Sequence, residues 1–232
     1  MKPAFSPSLM CMDLTRFREQ IEALNKRADM YHVDIMDGHY VKNITLSPFF
    51  IEQLRKITTL PIDVHIMAEK PNDFLIDACI DAGASIISLH PEVVQSEVFR
   101  TIRHIHERNC QVGFVLNPAT PLQILEPFIH LIDKVTIMTI DPGFAGQPFL
   151  TEMLGKIKEA KQLKQKGGYT FSIEVDGSCN EKTFRLLAEA GNEIFIVGTS
   201  GLFGLNEEIH IAWENMQNIF LEQTKTTQFT HE

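Results

Sequence analysis

The sequence predicts a single (β/α)8 TIM barrel, an α/β fold built on a parallel eight-stranded sheet. Three observations carry this prediction. Short apolar runs alternate with longer amphipathic stretches along 232 residues, a length that suits one domain of this kind. The first run ends in "SPSLMCMD", with none of the Gly-rich turn that an open dinucleotide-binding sheet carries there. The polar residues within the runs gather at their C-terminal ends, where barrels keep their reactive groups.

The elements follow in order. The first strand is "AFSPSLM" (4–10); Asp13 then precedes "LTRF" as the N-cap of a helix over 13–25. The second strand, "MYHVDIM" (30–36), leads to a helix over 48–58, and the third, "PIDVHIM" (61–67), to one over 72–82 that Gly83 closes. "SIISLH" (85–90) is followed by a helix over 96–108. "QVGFVL" (111–116) is followed by a helix over 121–130, with Thr120 as N-cap and Pro121 at its first position. "KVTIMTI" (134–140) precedes a helix over 151–166. "FSIEVD" (171–176) precedes one over 181–190, with Asn180 before it and Gly191 after it, and "EIFIVG" (193–198) precedes a last helix over 207–221. The barrel domain is expected to span residues 1–221. The polar, aperiodic residues 222–232 read as a tail.

With 44% hydrophobic and 22% charged residues the chain can bury a full core. Its net charge of −9 and the absence of a Lys/Arg cluster argue against a nucleic-acid partner. A small phosphorylated substrate remains open to it, because backbone N–H groups can hold a phosphate. The N-terminus has no apolar signal region, no stretch has the apolar length of a membrane span, and the four cysteines form no C-x-x-C pair. A cytoplasmic protein with reduced thiols and no membrane partner is therefore expected. Exposed helix faces such as 48–58 suit a homo-oligomer.

Alternation along the strands puts His32, Asp34 and Met36 on one face, Asp63, His65 and Met67 on another, and Glu174 with Asp176 on a third. If these faces line the lumen, His32, Asp34, His65 and Asp176 converge. Each taken singly is as readily a polar residue satisfied by a neighbour. Four at one height, buried without a shared partner, would be very costly. Two imidazoles and two carboxylates form an N2O2 set that suits one divalent ion per subunit: zinc, cobalt or manganese, with magnesium less favoured. Asp63 and Glu174, one pleat lower, read equally as supports of the ligands or as satisfied polar residues. By spacing alone Met36, Met67 and Met138 read as core filler, and His90 as either a site or a structural residue. His39, His104, His106, His130 and His210 fall in loops or helices and read as ordinary surface residues. Three glycine-bearing turns, "DPGFAGQPF", "VDGSCN" and "VGTSGLFG", follow the last three strands, where barrels bind phosphate.

The segments "HVDIMDGHYVKNIT", "VHIM", "LHPE", "DPGFAGQPF", "VDGS" and "VGTSGLF" together resemble the ribulose-phosphate 3-epimerase family, from Ser6 to about Trp213. The resemblance implies metal ligation by His32, Asp34, His65 and Asp176, with Asp34 and Asp176 also the acid/base pair. It implies that Ser8, His65 and His90 face the substrate. It assigns Met36, Met67 and Met138 to a sulfur collar beside the reacting carbons. It gives the phosphate to Gly143, Phe144, Ala145, Gly146, Gly177, Ser178, Gly198, Thr199 and Ser200. Ala145 and Ser178 stand where ribulose-type members carry glycine, and "ITLSPFF" and "GTSGLF" resemble the allulose-6-phosphate branch. The expected substrate is accordingly D-allulose 6-phosphate, converted to D-fructose 6-phosphate through a cis-enediolate, with D-ribulose 5-phosphate as the alternative. A metal-dependent hydrolase and a non-catalytic sugar-phosphate binder are the other classes; a closed four-ligand set leaves the first less room for a metal-bound water, and the second would not need two opposed carboxylates.

Overall fold

The computed structural model describes residues 2–72 and 74–225. The strands are β1 (Ala4–Pro7), β2 (Tyr31–Met36), β3 (Ile62–Met67), β4 (Ile86–Leu89), β5 (Gln111–Leu116), β6 (Lys134–Met138), β7 (Ser172–Asp176) and β8 (Ile194–Val197). All pair in parallel, in the order β1-β8-β7-β6-β5-β4-β3-β2. The seam between β1 and β2 is spanned by one bridge, Ser8 to His32, which makes the sheet a barrel.

The strands form because both their faces are covered. β2 and β3 are buried at every position, as expected of parallel strands with side chains inside the barrel and helices outside. Tyr31, Val33 and Ile35 pack in the main core shared with the helices, while His32 and Asp34 point the other way. The helices are α1 (Phe17–Leu24), α2 (Pro48–Arg55), α3 (Leu75–Asp81), α4 (Pro91–Val94), α5 (Val98–Glu107), α6 (Met153–Gly167), α7 (Phe184–Ala190) and α8 (Ile209–Lys225). Phe5 of β1 meets Phe184, Phe195, Trp213 and Phe220 with ring centroids 5.0–6.5 Å apart, tying the start of the chain to its last two helices.

The expected helix over 121–130 is instead two 3-10 turns, Leu122–Leu125 and Ile129–Leu131. Pro127 lies between them. It has no N–H to donate, and its ring excludes the carbonyl four residues back, so an α-helix cannot run through. Thr120 caps nothing; its hydroxyl goes to the Glu92 carboxylate. Gly191 closes α7 with a left-handed φ of 107°, as expected. Residues 222–225, expected in the tail, complete the last turn of α8; the rest of that tail lies outside the described residues. No helix among the described residues is long and apolar enough to cross a membrane.

Candidate active site

Strand register builds the site. Asp34 lies opposite His65, Met36 opposite Met67, and His32 opposite Asp63. Across the barrel, Met138 lies opposite Asp176 and Thr136 opposite Glu174. His32 Nε2 is 3.2 Å from Asp34 Oδ1 and 3.8 Å from Asp176 Oδ2. His65 Nδ1 is 3.2 Å from Asp34 Oδ1 and 3.5 Å from Asp176 Oδ2. One donor atom from each of the four lies within 4.8 Å of every other. A tetrahedral ion with donors at about 2.0–2.1 Å spaces them by roughly 3.3 Å, so the set fits a divalent ion at its centre.

The charges are consistent with that. Burial pushes the Asp34 carboxyl up, but the His32 and His65 imidazoles outweigh it and hold Asp34 well below the carboxylate range. Burial opposes charge on His32 as well; the Asp34 and then the Asp63 carboxylates nonetheless hold it well above its ordinary value. His65 is also raised: burial works against its charge, while hydrogen bonds to Asp176 and Asp34 favour it. The two rings are held differently. His32 Nδ1 pairs with Asp63 Oδ2 at 2.7 Å, leaving Nε2 for the site. His65 Nε2 lies 2.9 Å from His90 Nε2, leaving Nδ1 for the site.

Beneath the four donors lies a polar floor that includes Lys134, a residue the sequence reading passed over. Its ammonium is 2.5 Å from Asp63 Oδ2 and 2.6 Å from Glu174 Oε1, and it is 2% exposed. Ser88 Oγ donates to Asp63 Oδ1 at 2.6 Å, and Thr136 Oγ1 to Glu174 Oε1 at 2.7 Å. Asp63 thus touches a candidate donor directly, through His32, while Glu174 is satisfied by Lys134 and Thr136. The available signal was a lysine opening the strand run "KVTIM" on the same face as Thr136 and Met138.

Above the donors, Met36, Met67 and Met138 line a cavity, with Ser8 at its wall donating to Asp34 Oδ2 at 2.9 Å. The loop after β6 brings Gly143, Phe144, Ala145 and Gly146 to the mouth. The loop after β7 brings Gly177 and Ser178, and the turn after β8 brings Gly198, Thr199 and Ser200. Met10 and Cys11, not anticipated, complete the β1 side. His90 is fully buried against His65 and Tyr40, whose ring lies 4.6 Å away, and stands off the cavity wall. His104 and His106, read as bland, pair with Asp77 and Asp133 on the surface.

Glycine matters where the loops crowd each other. Gly177 has a φ of 114°, and a Cβ there would come within 2.7 Å of Ile140. Ser178 sits at φ 50°, unusual for a residue with a Cβ, and its hydroxyl donates to the Gln147 carbonyl at 2.7 Å. Asn43, from the loop after β2, donates to the Gly143 carbonyl at 2.8 Å.

Residues 4–203 match the model of the ribulose-phosphate 3-epimerase family. The chain is 41% identical over 204 residues to ribulose-phosphate 3-epimerase of Bacillus subtilis, covering 87% of this chain and 93% of that protein. It is 39% identical over 197 residues to ribulose-phosphate 3-epimerase of Escherichia coli K12, covering 84% and 87%. Among solved structures, a mutant tryptophan synthase alpha-subunit from Pyrococcus furiosus superposes with a TM-score of 0.69 at 13% identity, covering 94% of this chain and 98% of that one. At that identity the likeness speaks for the barrel alone.

Proposed function

The chain belongs to the ribulose-phosphate 3-epimerase family, an isomerase family dependent on a divalent metal, and from that premise we propose that it inverts C3 of D-ribulose 5-phosphate using Asp34 and Asp176 as opposed acid/base groups. The observation that carries the reading is the convergence of two carboxylates, from β2 and β7, on one point shared with two imidazoles.

Epimerisation removes the proton on one face of C3 and returns one to the other, so it needs a group on each side of the carbon. Asp34 and Asp176 come from strands on different walls of the barrel. Asp34 is held ionised by its imidazole neighbours and steadied by the Ser8 hydroxyl, so it is in the unprotonated form that a proton acceptor requires. Asp176, more open to the cavity, takes the complementary role. His32, Asp34, His65 and Asp176 would hold the ion, which when bound supplies Lewis-acid stabilisation of the enediolate. The mixed nitrogen and oxygen set favours zinc, cobalt or manganese over magnesium. Met36, Met67 and Met138 border the reacting carbons with sulfur, which excludes water without offering a proton. Among the described residues no lysine or arginine lines the cavity, so the phosphate falls to backbone amides of the three loops at its mouth. Holding it there fixes C3 between the two carboxylates.

The five-carbon sugar replaces the six-carbon one that Ala145 and Ser178 suggested. Relatives at about 40% identity are named ribulose-phosphate 3-epimerases. Relative to glycine, Ala145 and Ser178 each add atoms, and Ser178 directs its hydroxyl to Gln147, so neither makes room for a longer substrate. The test compares kcat/KM for D-ribulose 5-phosphate and D-allulose 6-phosphate on one preparation, in D2O. Deuterium at C3 of the preferred pentose phosphate is the expected result. A clear preference for the hexose phosphate would reverse the substrate assignment. Absence of C3 exchange with either sugar would remove the epimerase reading in favour of hydrolysis or simple binding.

A further inference from the structure

Lys134 is an expensive residue to keep where it is. A lone ammonium in a barrel lumen is strongly unfavourable, and well-packed apolar residues usually stabilise such a place as well or better. Its neighbours in the same run, Val135 and Ile137, pack in the apolar core on the other face of β6. Two further features accommodate it. Position 113, paired with Lys134 in the sheet, is glycine, and a Cβ there would come within 3.0 Å of Lys134 Cε and 2.4 Å of Ser88 Oγ. The missing side chain on β5 lets the lysine stem pass across the lumen to β3. Glu174 then takes the same ammonium from the opposite side.

The ammonium arrives at a particular atom. Asp63 Oδ2 is shared between Lys134 Nζ at 2.5 Å and His32 Nδ1 at 2.7 Å, while Asp63 Oδ1 is taken by Ser88. Both oxygens of Asp63 are therefore fixed, and one of them is fixed against His32. A carboxylate held in this way dictates which nitrogen of the ring carries the proton and which faces the cavity. We propose that Lys134 is a positioning residue for the metal site: it clamps Asp63 onto His32 Nδ1 and so sets His32 Nε2 toward the ion. This rests on the reading of His32 as a ligand.

The test measures cobalt(II) affinity by competition with a chelator, on the full-length protein, independently of turnover. Lys134→Met is expected to weaken binding about 10–100-fold, with activity returning when excess metal is supplied. Because that variant strands two buried carboxylates, the decisive one is Lys134→Met with Glu174→Gln, which keeps the net charge of the floor. It should fold like the parent, bind cobalt(II) as weakly as the single variant, and lose the strongly hydrogen-bonded His32 Nδ1–H proton signal in the zinc-loaded protein. Adding Asp63→Asn to that pair should cause no further loss. The proposal is overturned if the folded double variant binds with parental affinity, or if Asp63→Asn adds its full separate loss. His32→Ala separates the premise from the proposal. Parental affinity in that variant removes His32 as a ligand, whereas lost affinity there with none lost at Lys134 removes the clamp alone.

Discussion

Asp34 answers to four neighbours at once: the two imidazoles, Ser8, and a Thr45 hydroxyl on its own carbonyl at 2.6 Å. Asp34→Asn and Asp176→Asn are each expected to lower epimerisation by about 10²–10⁴-fold, the usual share of one acid/base group. Single-face exchange of the C3 proton should survive where metal is retained, and NMR in D2O reads both rates. Near-parental epimerisation by either variant would refute the two-group mechanism. His65→Ala should lose metal and activity together, checked by metal analysis after gel filtration. The imidazoles also set a pH dependence. His32 and His65 carry raised values in the ion-free protein, so an ion must displace their protons. Apparent affinity should fall as pH drops below those raised values and level off above them. A zinc titration flat between about pH 5 and pH 8 would contradict this. The candidate ligands His32 and Asp34 were legible in the sequence because a period of two puts 32, 34 and 36 on one face. Lys134 stands out in its run, but its pairing was not legible, because its partners lie on β3 and β7.

At the scale of elements, the loops after β6, β7 and β8 form the mouth, and the loop after β2 braces the first of them through Asn43. Asn43→Ala removes the hydrogen bond to Gly143, worth about 1 kcal/mol. It should raise KM for the sugar phosphate about fivefold while leaving kcat within twofold; a fall confined to kcat would show that the loop serves the chemistry instead. Gly177→Ala imposes a Cβ on a left-handed backbone and on Ile140, and should cost about 1–3 kcal/mol in urea unfolding. Turn glycines were readable as loop markers in advance, but their mutual contacts were not, since Asn43 and Gly143 meet only in the folded barrel. The helix expected over 121–130 failed for a local reason that was present in the sequence: Pro127 outweighs the apolar periodicity around it.

At the scale of the whole molecule, the barrel was predictable because eight runs alternating with helices leave few other ways to bury both faces of every strand. Its closure was less so, and it has a consequence for synthesis. The first strand pairs with the last, and the β1–β2 seam rests on the Ser8–His32 bridge. Three of the four donors leave the ribosome early, on β2 and β3, while Asp176 follows only after β4, β5 and β6 have emerged. A nascent chain stalled before β7 therefore lacks both the strands that close the sheet and the fourth candidate donor, Asp176. Ribosome-bound chains of increasing length should take up zinc stably only once β7 and β8 have cleared the exit tunnel. Equal retention by chains ending before Asp176 would show that the ion assembles the barrel from its first half and does not wait for its closure.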